Sequence, residues 1–309
     1  MRLTPLLLLT TAVLLGLLCG CNSKPPEPRV QSFSAGNGPW GICCDGENVW
    51  VADYWSDSVL KIRGSDGQVV GNYTVGRAPR ELCFDGENIW VTKHLSDEVT
   101  KLRASDGEVL ANVPVGRYPE CICFDGDSIW VANSSDSTVI KIRASDAEVV
   151  GNFTLDEGTH GLHCDGQYVW TANCVGDTVT KIRPDDGEQL ANFNLGQWTS
   201  PFKLCAEGGN LWVTNAGRDT VTRLRASDGE ILGVYPVGDA PHGICFDGES
   251  IWVVNDWSDD VYRLRPGDGE VLETFAVPDY PQSACFDGEY VWVTSAWGDA
   301  VTRIRVSEN

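Results

Sequence analysis

The chain has 309 residues, with 44 acidic against 23 basic side chains, a formal charge of −21 and 33 glycines. A surface of that sign repels nucleic acid and anionic lipid, so neither is expected as a partner, and a neutral or cationic one fits better. Beyond the first twenty residues no stretch carries a helical apolar stripe, which points to an all-β chain.

In chain order, Arg2 and the apolar run Leu6 to Leu18 read as a bacterial export signal ending in Leu18-Cys19-Gly20-Cys21. The end of this segment resembles a lipoprotein signal, and that resemblance implies a signal peptide over residues 1–20 with lipidation on Cys21. Residues 22–28, with Pro25, Pro26 and Pro28, then form an extended tether. The expected location is extracytoplasmic, with the lipid as the membrane contact.

From residue 29 to 309 the chain is one repeat array. Trp50, Trp90, Trp130, Trp170, Trp212, Trp252 and Trp292 recur every 40 residues, or 42 across the single insertion. Each repeat holds four short β signals. In the second, Leu82-Cys83-Phe84 turns through Asp85-Gly86 into Ile89 to Thr92, Val99 to Arg103 alternates with period two, and Ser105-Asp106-Gly107 leads into Val109 to Val113. Four strands per unit of about 40 residues make a propeller blade, so a seven-bladed β-propeller is expected, first strands innermost. The seventh repeat lacks a fourth strand. Residues 29–36 supply it, since alignment on Gly76 sets Val30 with Val70, Phe33 with Tyr73 and Ala35 with Val75.

The segments Trp130-Val-Ala-Asn133, Trp170-Thr-Ala-Asn173 and Trp212-Val-Thr-Asn215 resemble the Tyr-Val-Thr-Asn signature of the YVTN propeller repeat family, with Asp219-Thr-Val221 and Pro241-His-Gly243 also in pattern. The similarity covers residues 29–309. It implies an exported seven-bladed propeller. Related rings include lactonase-like enzymes and virginiamycin B lyase, so the resemblance leaves a binding protein and an enzyme both open.

Residues recurring in every blade serve blade geometry. The strand-two tryptophans pack between blades. Basic pairs on third strands, such as Lys61 with Arg63 and Lys101 with Arg103, are expected to meet the Ser-Asp-Gly turns, and Asp57, Asp97, Asp177, Asp219, Asp259 and Asp299 to brace loops. Cys43, Cys83, Cys123, His163, Cys205, Cys245 and Cys285 occupy one inner-strand position, equivalent around a ring, so free thiols are expected. A soft-metal site joining His163, Cys164 and Cys123 is a weaker alternative. No Cys-x-x-Cys-His occurs, and no cofactor or metal is expected.

Function is expected where the repeats differ. Trp40, Trp55, Trp198, Trp257 and Trp297 fall in loops on one rim, with Tyr54, Tyr280 and acidic Asp53, Asp256, Asp259 and Asp279 near them. Just after the connector proline, or its equivalent Thr159, stand Trp40, Arg80, Glu120, His160, Phe202, His242 and Gln282, a mixed set around the channel mouth. Asp53, Lys93 and Lys203 are expected at the same level. The reading is a rim that binds a ligand or protein partner. The alternative is a hydrolase or lyase in the funnel, with His160 or His242 as base, Arg80 or Lys93 as charge stabiliser and Glu120 beside them.

Overall fold

The computed structural model describes residues 29–155 and 158–306. The export signal, Cys21 and the tether lie outside these residues. Seven four-stranded antiparallel sheets form the ring of a seven-bladed β-propeller, and the described residues contain no α-helix. Blade one comprises Pro39–Cys44, Asn48–Asp53, Ser58–Arg63 and Val69–Thr74. First strands of blades two to seven begin at Pro79, Pro119, Thr159, Pro201, Pro241 and Pro281, and neighbouring first strands run side by side around the channel.

Blade seven has Pro281–Phe286, Tyr290–Ser295 and Ala300–Arg305 from the C-terminal end, and Val30–Ser34 pairs with Ala300–Arg305 as its outermost strand. The expected closure is therefore present, in the register Val30 with Ile304 and Phe33 with Val301. Phe33 stacks on Trp292 at 6.0 Å, as Tyr73 stacks on Trp50 at 5.7 Å.

All seven strand-two tryptophans are fully buried. In six blades the indole Nε1 donates to the turn aspartate five residues earlier, for example Trp90 to Asp85 at 2.7 Å and Trp292 to Asp287 at 2.6 Å. The same carboxylate caps the hairpin by accepting the Glu87 and Asn88 amides. Burial alone would raise the Asp85 pKa; the bonds from Trp90 and those amides outweigh it and hold the group below its ordinary value. Blade five has Glu207 at this position, and Trp212 Nε1 is left without a partner among protein atoms. An Asp85→Ala substitution strands a buried indole N–H and two amides, so an expected loss of about 1–3 kcal/mol should appear as a lower denaturant midpoint. Because the folded pKa is depressed, the stability from Asp85 is present above its unfolded value and is lost as pH falls through the folded one.

The third-strand basic pairs divide their work. Arg63, Arg103 and Arg143 meet Asp66, Asp106 and Asp146 as expected. The inner members instead cross to the next blade: Lys61 donates to Ala104 O at 2.8 Å and Lys101 to Ala144 O at 2.7 Å, each ammonium also lying about 5 Å over its own tryptophan ring. The loop aspartates brace the connectors. Asp57, in the left-handed region at φ 55°, accepts the Ala78 amide at 2.9 Å.

Packing between blades is visible in one exchange. The turn glycine of a blade lies where a Cβ would strike the strand-four aromatic of the preceding blade, as Gly107 against Tyr73 and Gly187 against Phe153. In blade three that glycine is Ala147, and there the preceding blade carries Val113, with which Ala147 packs.

The free-thiol expectation fails at one place. Cys123 and Cys164 form a disulfide between blades three and four, with Cα atoms 6.2 Å apart. Equivalent ring positions do not meet, but Cys164 lies one residue beyond its blade's ring position, and that step places it beside the preceding blade's Cys123. The pairing also removes the proposed His163, Cys164, Cys123 metal set, and burial lowers the His163 pKa to about 4. Among the described residues no group of three or more His, Cys, Asp or Glu is placed to hold a metal.

Candidate functional site

Each first strand breaks register just after its opening residue: between Pro79 and Leu82, Pro119 and Cys121, Pro201 and Leu204, and Pro241 and Ile244, for example. Such a bulge takes one or two residues out of the ladder and re-aims their side chains. The residue before the proline adds a sharp bend, with Ala78, Tyr118, Ala240 and Tyr280 all at φ between 51° and 62°. Together these features lift one differing residue per blade out of the pairing at the upper mouth of the channel.

Neighbours in this belt touch. The Arg80 guanidinium lies 4.5 Å over the Trp40 ring and forms an ion pair with Glu120, whose other oxygen is 3.4 Å from His94 Nδ1. His160 lies 5.2 Å from Phe202, and Phe202 stacks flat on His242 at 4.1 Å. Above the belt runs a continuous aromatic arc. Trp297 stacks on Tyr280 at 4.1 Å, Tyr280 meets Trp40 at 6.3 Å, and Trp40 meets Tyr54 at 5.5 Å. Tyr54 then meets His94 at 6.4 Å and His94 meets Tyr118 at 4.8 Å, with Trp55 edge-on to Tyr54 at 4.7 Å.

A polar relay starts beside Tyr280, whose carbonyl is 3.5 Å from Gln282 Nε2. Gln282 Nε2 donates to Asp256 Oδ1 at 2.7 Å, which leaves Gln282 Oε1 as the acceptor end for His242 Nδ1 at 3.3 Å. Nδ1 therefore carries the imidazole proton in this contact, and Nε2 keeps its lone pair. Asp256 Oδ2 is 3.5 Å from His242 Nδ1 and, with His160 Nδ1, is buried without a hydrogen-bond partner among protein atoms. Burial raises the Asp256 pKa to about 7, against the lowering effect of Gln282. Burial lowers the His242 pKa to about 4, aided by the Lys203 and Arg80 charges and opposed by the Gln282 bond. Burial likewise lowers that of His160.

These directions predict a pH dependence with opposite signs. The Asp256 contribution to stability is complete below its unfolded pKa of about 4 and is lost as pH rises towards 7. That of His242 is complete above about 6.5 and is lost as pH falls towards 4. An Asp256→Asn variant should therefore gain on the parent protein in melting temperature between about pH 4 and 7 and keep a constant lead above. Parallel melting curves across that range would show that Asp256 is not held protonated.

One residue deeper the belt reads Gly41, Glu81, Cys121, Gly161, Lys203, Gly243 and Ser283. Lys203 pairs with Glu81 from three blades away and donates to Ser283 Oγ at 2.8 Å. Glu81, Cys121, Lys203 and Ser283 of this belt line a channel cavity of about 340 Å³.

The structure brings together Trp40, Arg80, Glu120, His160, Phe202, His242 and Gln282, and joins Trp55 and Trp297 to them through the arc. Trp198 and Trp257 stay outside it, 73% and 74% exposed and in none of the ring contacts among the described residues. Asp53 and Lys93 do not belong to the funnel. Asp53 lies beneath the connector, accepting the Asn37 amide at 2.7 Å, and Lys93 binds Glu98 at 2.6 Å and Asn112 at 2.9 Å. The end of strand two points into the blade, where Asn173 and Asn215 likewise donate to strand-three threonines. His94 and Tyr118 were missed. Their signal was available, since His94 follows Lys93 as Tyr54 follows Asp53, and Tyr118 precedes its proline as Tyr280 does.

No protein-family model matches the chain, and no curated protein does. Solved structures resemble it in fold. Virginiamycin B lyase from Staphylococcus aureus superimposes with TM-score 0.77 at 19% identity, over 90% of this chain and 99% of that one. A streptogramin B lyase gives 0.78 at 18%, over 90% and 97%, and hydrazine synthase from Kuenenia stuttgartiensis gives 0.79 at 19%, over 88% and 96%.

Proposed function

We propose that the upper funnel binds a small neutral or cationic organic ligand carrying a flat apolar face, on an exported propeller of the YVTN type anchored through Cys21. The observation that carries this reading is the aromatic arc from Trp297 to Tyr118 together with two buried polar atoms, His160 Nδ1 and Asp256 Oδ2, that have no protein partner. Aromatic faces supply apolar area and cation–π attraction, and a ligand donor or acceptor meets the unpaired atoms. The acidic surface favours the same ligand charge. Exposed Trp198 and Trp257 extend the rim to a protein partner.

The test is a thermal-shift and tryptophan-fluorescence screen of residues 22–309 against sugars, lactones, peptides and organic cations. A ligand that binds only the folded state raises the melting temperature by mass action. The shift should disappear in Trp40→Ala with the fold retained; a shift kept in that variant would move the site away from the arc. For the anchor, Cys21→Ser should release the protein from the membrane fraction.

One observation favours a second reading, a lyase or hydrolase in the same funnel: an acid near pKa 7 and a neutral imidazole share Gln282. That pairing suits general acid–base work near neutral pH. Its substrate would be a cyclic ester, and the similar fold of a catalytically inactive virginiamycin B lyase solved with quinupristin supports a ligand in such a funnel. Mass spectrometry separates the chemistries, since elimination opens the ring without a change of mass and hydrolysis adds one water. An untouched panel of lactones and cyclic depsipeptides would leave the binding reading alone.

A further inference from the structure

The residue after the inner-ring position is phenylalanine in four blades, at Phe84, Phe124, Phe246 and Phe286, and Ala206 in blade five. Only blades one and four carry cysteine there, Cys44 and Cys164. In the four phenylalanine blades this residue shares a core cluster with the ring position of the preceding blade: Phe84 clusters with Cys43, Phe124 with Cys83, Phe246 with Cys205 and Phe286 with Cys245. The substitution of cysteine for phenylalanine therefore sets two sulfurs together across a blade interface. At the third interface the result is the Cys123–Cys164 disulfide. At the seam, where blade seven meets blade one, Cys285 and Cys44 occupy the same two places, with their Sγ atoms 2.8 Å apart.

We propose that Cys44 and Cys285 form a second interblade disulfide, a covalent latch on the junction otherwise closed by the strand Val30–Ser34. The electron acceptor is an external disulfide, supplied by a small molecule or by a thiol–disulfide oxidoreductase. One cysteine thiolate attacks it, releasing one thiol and leaving a mixed disulfide, and the second thiolate displaces the other half. Two protein thiols become one disulfide, and the two protons and two electrons leave on the released thiols. The pair encloses residues 44 to 285, so it joins the two ends of the array directly, whereas Cys123–Cys164 links neighbours 41 residues apart.

The test is peptide mapping of the purified full chain after equilibration with oxidised or reduced glutathione, alkylation under denaturing conditions and trypsin digestion. The expected product in the oxidised sample is residues 30–61 joined to 264–303, two hydrogens lighter than the sum, alongside 118–141 joined to 144–181 from the blade-three link. In Cys44→Phe, which restores the side chain of the other blades, the first product should vanish and the second persist. Cys285→Ala gives the same readout should Cys44→Phe fail to fold. Full alkylation of Cys44 and Cys285 in protein whose Cys123–Cys164 link is intact would overturn the proposal, as would a 30–61 to 264–303 product surviving in Cys44→Phe.

Discussion

Deleting residues 29–36 is expected to lower the melting temperature by roughly 10–20 °C or to leave the protein insoluble, taking about 2–4 °C per kcal/mol for a domain of this size. The deletion removes the outer strand of blade seven with its five-residue ladder to Ala300–Arg305. Phe33 leaves the face of Trp292, fully buried Ala35 is lost, and the Arg29 ion pair to Glu273, which ties the segment to blade six, goes with them. Losing the packing of a half-buried phenylalanine alone costs about 2–3 kcal/mol, and the ladder adds about 1 kcal/mol per net hydrogen bond. The sum is a large share of the 5–15 kcal/mol that holds a typical domain, and the exposed edge of Ala300–Arg305 becomes a template for aggregation. A milder change separates the two losses. Phe33→Ala keeps the ladder and should lower stability while leaving the protein soluble and monomeric. A deletion variant that melts where the parent does would mean that the seam is held by something other than this strand.

The seam was legible because residues 29–36 align with strand four of every other blade, and in a closed ring a matching segment has one place to go. The funnel belt was legible for a related reason: a fixed offset from a connector proline keeps seven residues at one height whatever their side chains. The offset of Asp53 and Lys93 was just as fixed but misled, because the bulge after the proline re-aims first-strand residues while the end of strand two keeps the ordinary alternation into the blade. A bulge leaves little trace in hydrophobic pattern. The Trp90 to Asp85 bond was invisible for another reason: its constant five-residue spacing shows that the two residues are linked to one turn, not that the indole reaches the carboxylate. The Cys123–Cys164 bond escaped because its partners sit one residue out of phase in different blades, whereas reading by repeat position compares only equivalents. Glu81 and Lys203 were separated in sequence by three blades and met only because the channel is narrow.

The Glu81–Lys203 pair spans the channel. Lys203→Met should cost about 3–5 kcal/mol, because it leaves Glu81 charged, buried and short of its partner. Ser283 also loses its Lys203 contact at 2.8 Å. Glu81→Gln should cost a comparable amount from the other side. The double variant Glu81→Gln with Lys203→Met should recover most of either loss, since the Coulombic gain of a buried pair roughly offsets the desolvation of its members. The effect reaches the candidate site. The Lys203 charge is one of the influences that lower the His242 pKa, so its removal should move His242 upwards, and proton NMR of the imidazole should record that shift. In the double variant the shift should persist although stability returns, because the neutral methionine restores no charge near the imidazole. If the single and double variants melt together, the pair contributes nothing across the channel. If His242 titrates unchanged in Lys203→Met, the deep belt and the funnel are electrostatically independent, and the low pKa of His242 rests on burial with the Arg80 and His160 charges.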